Sequence, residues 1–476
     1  SNNLNKKNLL LSKNYNNIKI SFDNKIDYKN IKFVYNTLKK NNKNFGFKDV
    51  ISNKKILNYF DSKKENLSIL KNQTKNSRIL WQRANKFIPG GNMLLSKNPD
   101  RFLPEFWPPY YKKAKGCKII DLDNNVLTDI YLMGVGTNIL GYANNEIDKA
   151  VAQSIRSGNM SSLNSIEELK LAEKLLELHP HFEMVKFART GGEANSIAIR
   201  IARAASNRDK VAICGYHGWH DWYLSANLKE DKLKGHLMKG LEIRGVPKAL
   251  SNTTIPFEYG DYKRFNQIIS NKQIGVVKME VSRNSLPNKK FLHHVRKKTK
   301  ENNIVLIFDE CTTGFRETFG GLHKKIKIFP DMLILGKALG NGYAITSVLG
   351  KKEIMRYAKQ SFISSTFWTE RSGYVAALKT LEIMKKLKSW EKITIIGKKI
   401  QKKWRQMFDN YNLEVDIKGI PALSTFTFKN NHNLYKTLIS QEMLKKNYLA
   451  GNTVYTSICH NEKILNRYFY TFEDVL

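Results

Sequence analysis

The sequence lacks several features that define large classes of protein. None of its apolar runs approaches the roughly 18–20 residues that cross a bilayer, and its N-terminal stretch SNNLNKKNLLLSKN has no apolar segment suited to a signal peptide. The 476 residues include four cysteines, Cys117, Cys214, Cys311 and Cys459, and none of them forms a CxxC spacing. These absences predict a reduced, cytoplasmic protein with no membrane partner.

Acidic residues are also scarce. Lys and Arg number 80 against 42 Asp and Glu, which gives a formal net charge of +38. Such an excess is typical of nucleic-acid-binding proteins, but here it is spread over the whole chain and is not interleaved with regularly spaced aromatics. Lys, Asn and Ile share AT-rich codons, so genomic composition is the simpler explanation. We therefore expect no nucleic-acid partner.

Glycine is nearly absent from the first part of the chain. Residues 1–76 hold one glycine, Gly46, and are rich in Lys and Asn. They predict a disordered tail or a small helical appendage, since IKFVYNTLKK places apolar residues on one helical face. Beyond residue 76, Gly, Pro and aromatic residues reach a globular density. We expect a large domain at 146–360, with 77–145 and 361–476 forming a smaller one.

Between about residues 185 and 350, short apolar runs alternate with helical patterns. The runs are MVKFA at 184–188, VAIC at 211–214, IGVVKME at 274–280, IVLIF at 304–308 and MLIL at 332–335. Such runs are typical of strands buried on both faces of a mostly parallel sheet. The chain is therefore predicted to be an α/β protein, with a helix directly after MVKFART.

Chemically versatile residues follow each run. Ligands of open α/β sheets bind beyond the carboxyl ends of the strands, which makes these residues the candidate site. They are Thr190, Gly191, Gly192, Tyr216, His217, Glu280, Asn284, Asp309, Glu310 and Lys337. The set combines a glycine turn at a helix start, an aromatic, acids and a lysine.

Three of these features have both a structural and a chemical interpretation. The turn at 190–192 is either a plain helix cap or a phosphate cradle, where free N–H groups and the positive helix end hold the anion. Asp309 is either hydrogen-bonded to backbone or paired with a buried cation such as a ring nitrogen. Lys337 is either a snorkelling lysine or an amine with a lowered pKa that forms a Schiff base. Phosphate, ring nitrogen and aldehyde together describe pyridoxal 5′-phosphate.

Four motifs carry a family resemblance. FARTGGEANSIAIRIAR, YHGWHD, FDECTTGFRETFGG and PDMLILGKALGNG resemble those of the fold-type-I, class-III aminotransferases, above all the glutamate-1-semialdehyde 2,1-aminomutase-like subfamily. The resemblance covers roughly residues 77–476. It implies a fold-type-I PLP-dependent transferase, with a mostly parallel central sheet in a large domain plus a smaller α+β domain. It also implies an aminotransferase acting on an amino donor and a carbonyl acceptor, or alternatively an intramolecular aminomutase.

The resemblance assigns catalytic roles by position. Lys337 would form the Schiff base and shuttle the substrate's α-proton as general base and acid. Asp309 would pair with the ring nitrogen and keep the ring an electron sink. Tyr216 would stack on the ring, with His217 in support.

It also assigns cofactor contacts outside the ring. Thr190, Gly191 and Gly192 would bind the phosphate. Ser365 and Thr366, in SSTFWTE, occupy the place from which the family contacts the phosphate of the neighbouring subunit, so a homodimer is implied. Asn284 would lie near the phenolic oxygen of the cofactor.

Several positions depart from the aminomutases. Lys97 replaces the arginine that binds the substrate carboxylate there, and lysine lacks the bidentate fork; Arg101 is a second candidate for that contact. Gly192 replaces a hydroxyl residue, and both SSTFWTE and the lid segment 235–247 differ from those of the aminomutases. We therefore predict intermolecular transamination.

The ends of the sequence carry weaker indications. IDYKNIKFVYNTLKKNNKNFGFKDVI resembles the tail of acylneuraminate-type and spore-coat-polysaccharide-type cytidylyltransferases. This implies a piece of a longer fusion linked to nucleotide-sugar or surface-polysaccharide metabolism; the alternative is a lysine-rich tail of no special origin. The end RYFYTFEDVL stops where relatives usually continue, so we expect an incomplete C-terminus. No metal is expected, because His217, His220 and Asp221 lack a completing Cys/His cluster.

Overall fold

The structure is a computed structural model that describes residues 33–38, 53–56, 70, 73–228, 243–282 and 285–476. The chain divides into two compact units, Ser1–Tyr110 and Tyr111–Leu476. The three-domain division expected from the sequence remains a prediction.

The described part of the first unit consists of helices joined by turns and irregular segments. It contains the α-helix Lys75–Phe87 and the 3₁₀ helices Leu95–Lys97 and Pro99–Arg101. After the long helix the chain turns at Gly91, which has a φ of +74° and packs directly on the Trp81 ring. A Cβ there would lie 2.5 Å from that ring, so the turn requires glycine.

The second unit contains both helices and strands. Its strands are β1 (Tyr111–Lys115), β2 (Lys118–Asp121), β3 (Val126–Asp129), β4 (Met184–Ala188), β5 (Lys210–Cys214), β6 (Thr254–Pro256), β7 (Ile274–Glu280), β8 (Val305–Glu310), β9 (Met332–Leu335), β10 (Thr346–Gly350), β11 (Val415–Lys418), β12 (Leu423–Phe428), β13 (Tyr448–Leu449) and β14 (Thr453–Tyr455). Its α-helices, where the structure describes it, are Met133–Gly136, Asn145–Arg156, Ile166–Leu178, Gly191–Ser206, Asp221–Leu224, Tyr262–Ile269, Lys289–Glu301, Leu322–Ile326, Lys352–Met355, Arg371–Leu387, Ser389–Asn410, His432–Lys445 and Glu462–Val475. Its 3₁₀ helices are Ser225–Asn227, Lys248–Leu250, Lys337–Gly340, Arg356–Gln360 and Thr366–Thr369.

The central sheet has seven strands in the order β4-β10-β9-β8-β7-β5-β6. The neighbours from β9 to β6 are parallel, whereas β10 runs antiparallel to both β4 and β9. The mostly parallel α/β sheet expected from the sequence is confirmed. All five apolar runs are strands within it, and the helix after MVKFART spans Gly191–Ser206. The sequence reading missed β6 and β10, which are short and carry Thr or Ser in buried positions.

Each face of this sheet packs against its own apolar core. Val277, Met279 and Phe308 belong to one core cluster. Val276 and Ile307 belong to the other, together with apolar residues of the helix Gly191–Ser206. Since each fully buried aliphatic or Phe side chain contributes about 1.5–3 kcal/mol, the strands are held from both sides. A rigid sheet with two covered faces fixes the positions of the residues at its carboxyl edge.

Two smaller sheets complete the second unit, as the predicted α+β part requires. Their strand orders are β1-β2-β3-β13 and β11-β12-β14. A third core, built around Trp404, Phe426 and Phe472, packs the helix Ser389–Asn410 against β12. Among the helices that the structure describes, none combines the length and apolar character needed to cross a bilayer.

Candidate active site

The residues singled out after the strands, as far as the structure describes them, lie at one edge of the central sheet. Because β10 is antiparallel to both of its neighbours, β4 points in the same direction as β9, β8, β7 and β5. The carboxyl ends of these five strands therefore share one edge, where ligands of open α/β sheets bind.

Asp309, near the end of β8, is a buried carboxylate with several partners. Its Oδ2 accepts a hydrogen bond from His217 Nδ1 at 2.9 Å and lies 3.4 Å from Lys278 Nζ, while its Oδ1 accepts from the Cys311 N–H at 3.1 Å. Burial alone raises the pKa of this carboxyl, but Lys278 and the hydrogen bond from His217 hold the pKa well below its usual range. The side chain is therefore ionised.

His217 is fixed in one tautomer by this carboxylate. An ionised carboxylate only accepts hydrogen bonds, so His217 Nδ1 carries the proton that it donates to Asp309. Burial lowers the pKa of His217, and the nearby Lys278 ammonium lowers it further against the opposing effect of Asp309. The ring is thus neutral, and its buried Nε2 has no hydrogen-bond partner among the described residues.

Lys337 follows β9 after one residue, Gly336, and has a strained backbone conformation. Its φ is +43°, in the left-handed region that is unfavourable for residues other than glycine. Its Nζ donates to Thr312 Oγ1 at 2.9 Å. Burial lowers the pKa of this amine, with Arg316 adding to the effect and Cys311, Glu280 and Asp309 opposing it. A lysine of this kind is suited to nucleophilic attack on a carbonyl.

The turn before the helix Gly191–Ser206 is the predicted anion site, and its geometry is compatible with that prediction. Thr190 is the N-cap of this helix, and its side chain forms a capping box with Glu193. The N–H groups of Gly191 and Gly192 make no hydrogen bond to any acceptor within the described part of the chain. Two free donors at a positive helix end are the requirement for binding a phosphate.

Tyr216 lies in the loop after β5 and is 47% exposed, and its ring packs edge-on against Tyr223 with 5.9 Å between the ring centroids. Its N–H donates to Glu280 Oε2 at 2.9 Å, so the acid at the end of β7 anchors the loop that carries the aromatic. Gly215 precedes it with a φ of +112°, and a Cβ at that position would lie 2.5 Å from the same Glu280 oxygen. The loop therefore requires glycine here to keep Tyr216 in place.

Ser365 and Thr366 are exposed, and hydrogen bonds connect their segment to residues on both sides of the turn at 190–192. Arg189 Nε donates to the carbonyl of Phe367 at 2.9 Å, and Trp368 Nε1 donates to Glu193 Oε1 at 3.1 Å. The contact of Thr366 with the cofactor phosphate of a neighbouring subunit stays a prediction.

Three further residues were predicted to contact the substrate or the cofactor, namely Lys97, Arg101 and Asn284. Lys97 and Arg101 belong to the first unit, where both are exposed, and their contact with substrate stays a prediction. Asn284 lies outside the described residues, as does most of the lid segment 235–247. In the described part of the chain no group of His, Cys, Asp and Glu is arranged to hold a metal, and His220 Nδ1 is hydrogen-bonded to Ser196.

The sequence reading missed several residues that shape the site. Lys278 was part of an apolar run, and Thr312 lies in a turn with no distinguishing pattern. Arg316 is buried, and it donates to the carbonyl of Gly136 in a turn where Val135 has a φ of +60°. A β-branched residue in that region is a conformational outlier, typical of functional sites. For Lys278 the sequence did contain a signal, because a lysine is unusual inside an apolar run such as IGVVKME.

Comparison with known proteins settles the family. The model of the class-III aminotransferase family matches residues 105–475. The chain belongs to the class-III aminotransferases. It is 32% identical over 398 residues to a 3-aminobutyryl-CoA aminotransferase of Cloacimonas acidaminovorans, covering 81% of this chain and 92% of the relative. It is 30% identical over 387 residues to a glutamate-1-semialdehyde 2,1-aminomutase of Methanococcoides burtonii, covering 78% of this chain and 86% of the relative.

Solved structures share the fold of this class-III chain. The FumI protein of Sphingopyxis sp. MTA144 superposes with a TM-score of 0.76 at 22% identity, covering 84% of this chain and 95% of that one. A glutamate-1-semialdehyde aminomutase of Pseudomonas aeruginosa PAO1 gives a TM-score of 0.76 at 18% identity, covering 87% and 96%. The fold-type-I architecture predicted from the sequence is confirmed.

Class-III aminotransferases are pyridoxal phosphate enzymes, and the site fits that cofactor. The free N–H groups of Gly191 and Gly192 suit its phosphate, and the ionised Asp309 suits a protonated ring nitrogen. Lys337 supplies an amine with a lowered pKa for its aldehyde. The fit uses groups that otherwise carry a cost in a folded protein, namely a buried carboxylate, a partly buried amine and unpaired donors.

Proposed function

We propose that the chain is an aminotransferase that moves an amino group from a small-molecule donor to a keto or aldehyde acceptor, with Lys337 as its Schiff-base residue. One observation carries the proposal. A lysine whose pKa is lowered by burial follows the strand next to the one that carries a buried, ionised aspartate. A cofactor that carries both an aldehyde and a protonated ring nitrogen would engage both of these side chains.

The protein's own residues would divide the work. When bound, the cofactor supplies an electron sink for the bond that breaks at the substrate's α-carbon. Asp309 would hold the proton on the ring nitrogen, and His217 would hold Asp309 in place through its 2.9 Å hydrogen bond. Lys337 Nζ, freed by the incoming substrate amine, would take up and return the α-proton as general base and acid. Thr312 Oγ1 accepts from that Nζ and would orient it.

The choice between aminotransferase and aminomutase rests on the substrate contacts. Relatives named aminomutase are similar to this chain, as is the 3-aminobutyryl-CoA aminotransferase. Lys97 in place of the aminomutase arginine supports a different substrate, because an ammonium is a point charge without the planar fork that binds a carboxylate. An acceptor from surface-polysaccharide metabolism is the proposal that the N-terminal resemblance supports.

A homodimer and a cytoplasmic location complete the proposal. Phe362 and Phe367, on either side of Thr366, are 90% and 69% exposed. Large apolar side chains clustered at a surface are typical of subunit interfaces, which supports a partner subunit at this segment. The four cysteines are all free, as expected of a reducing compartment.

The test is a donor and acceptor screen on the cofactor-loaded protein, followed by visible absorption. With an amino donor alone, we expect stoichiometric conversion of the cofactor to its amine form, and with a keto acceptor added, its return. Glutamate-1-semialdehyde alone should give poor or no conversion. Efficient formation of 5-aminolevulinate without a second substrate would replace the aminotransferase by the aminomutase. Absence of any response to a broad donor panel would overturn both.

A further inference from the structure

One charged residue of the central sheet has no role in the proposed function. Lys278 lies in β7, where its neighbours Val276, Val277 and Met279 are core residues, and its side chain is fully buried. A buried lysine is costly, because burial disfavours the charged form of its amine. Such a residue inside an apolar strand calls for a reason.

The geometry directs Lys278 at Asp309. Lys278 and Val276 project from the same face of β7, since side chains alternate along a strand, and β7 pairs with β8 so that Lys278 lies opposite Ile307 and Glu280 opposite Asp309. The lysine is therefore two residues further from the carboxyl edge of the sheet than the aspartate. From there its Nζ comes within 3.4 Å of Asp309 Oδ2.

The contact between Lys278 and Asp309 is an ion pair that is longer than a hydrogen bond between charged groups. A charge-assisted hydrogen bond is about 2.7–2.9 Å long, and Lys278 Nζ makes no hydrogen bond within the described part of the chain. The other ionisable groups that act on it or on its partner are Glu280 on the same strand, Cys311 after β8 and His217 after β5. Burial raises the pKa of the Cys311 thiol well above its ordinary value, and His217 is neutral. Asp309 is thus the nearest anion to the ammonium.

We propose that Lys278 is a positioning residue that serves as a resident counter-ion of Asp309 and competes with the cofactor's ring nitrogen for that carboxylate. The inference rests on the proposed role of Asp309 in pairing with the ring. Two cations face one carboxylate, one from the cofactor side and one from within the sheet. Burial lowers the pKa of the Lys278 amine, but Asp309, 3.4 Å away, opposes this effect and favours the ammonium. The ring nitrogen therefore holds its proton less firmly than it would above an aspartate without Lys278.

This arrangement has a functional consequence. A less protonated ring draws electrons from the substrate less strongly, so Lys278 would set the strength of the electron sink without touching the cofactor. It would also keep Asp309 ionised and compensated in the cofactor-free protein.

The experiment measures the ring nitrogen directly. Cofactor labelled with ¹⁵N at the ring is bound to the wild type, to Lys278→Met and to Lys278→Gln, and the ¹⁵N chemical shift is followed against pH. We expect the pKa of the ring nitrogen to rise by about 1–3 in both variants, the range that a charge within about 4–6 Å produces. Met fills nearly the same space as Lys, and Gln keeps a polar group if Met disturbs the site.

Two control variants distinguish an error in the inference about Lys278 from an error in the role proposed for Asp309. Lys324→Met removes a partly buried lysine that donates to the carbonyls of Leu178 and Phe319, and it should leave the ring nitrogen unchanged. Asp309→Asn should lower the pKa of the ring nitrogen. If Asp309→Asn changes the ¹⁵N titration but neither Lys278 variant does, the inference about Lys278 is wrong and the proposed function stands. If Asp309→Asn also has no effect, the role proposed for Asp309 is wrong.

Discussion

Replacing Asp309 by Asn should destabilise the cofactor-free protein, and by an amount that depends on pH. Asn has the shape of Asp and can still accept from Cys311 or His217, so little packing is lost. The change does leave the ammonium of Lys278, which is 0% exposed, without its counter-ion. Removing one partner of a buried ion pair costs about 3–5 kcal/mol, because the other charge stays buried.

Lys278 of the folded variant can instead lose its proton. The free energy of that deprotonation is therefore an upper limit on the loss of stability. Neutralising a lysine of pKa ~10.4 costs about 1.4 kcal/mol for each pH unit below that value. The limit is therefore about 5 kcal/mol at pH 6.5 and about 2.5 kcal/mol at pH 8.5. The sign follows from linkage: the folded variant holds Lys278 neutral while the unfolded chain binds the proton, so the stability of the variant rises with pH relative to wild type.

Urea unfolding of the cofactor-free proteins at the two pH values measures this difference. The double variant Asp309→Asn with Lys278→Met removes the uncompensated charge, so at pH 6.5 it should be more stable than Asp309→Asn alone. A stability difference between wild type and Asp309→Asn that is the same at both pH values would refute the reasoning. So would a double variant that is no more stable than the single one.

Three further outcomes are expected. Gly215→Ala should lower the melting temperature more than Gly260→Ala, because both have positive φ but only the first places a Cβ against Glu280, 2.5 Å from its Oε2; equal losses would mean that this contact is unimportant. Thr366→Ala should weaken cofactor affinity about tenfold, the loss of a hydrogen bond to a charged group, as measured by equilibrium titration, and unchanged affinity would remove it from the phosphate site. Lys97→Ala should raise the KM for a carboxylate-bearing substrate, corresponding to about 1.5–3 kcal/mol, and an unchanged KM would assign that contact elsewhere.

The strands and the polar residues that follow them were predictable from the sequence for a physical reason. A parallel sheet covered on both faces needs continuous apolar strands, and a ligand site at its carboxyl edge places polar residues directly after them. Lys337 and Asp309 follow such runs or end them, so the local pattern contains the signal. The antiparallel β10 was missed because its buried Thr346 and Ser347 interrupt the apolar pattern.

Contacts between residues far apart in the chain could not be predicted in this way. The approach of Lys278 to Asp309 depends on the register between β7 and β8, which neither run specifies alone. The attachment of the segment around Thr366 to Arg189 joins residues 178 positions apart in the sequence. The sequence indicates which single residues are chemically active. Which partners raise or lower the pKa of those residues depends on the register between the strands.

The most direct test of the central assignment is covalent. The cofactor-loaded protein is reduced with borohydride, digested, and searched for the residue that carries the cofactor by mass spectrometry. The label should be found on Lys337, and Lys337→Ala should show no borohydride-fixed cofactor, while Lys324→Met is labelled like the wild type. A label on another lysine of the wild type, or a reducible bond that persists in Lys337→Ala, would contradict the account.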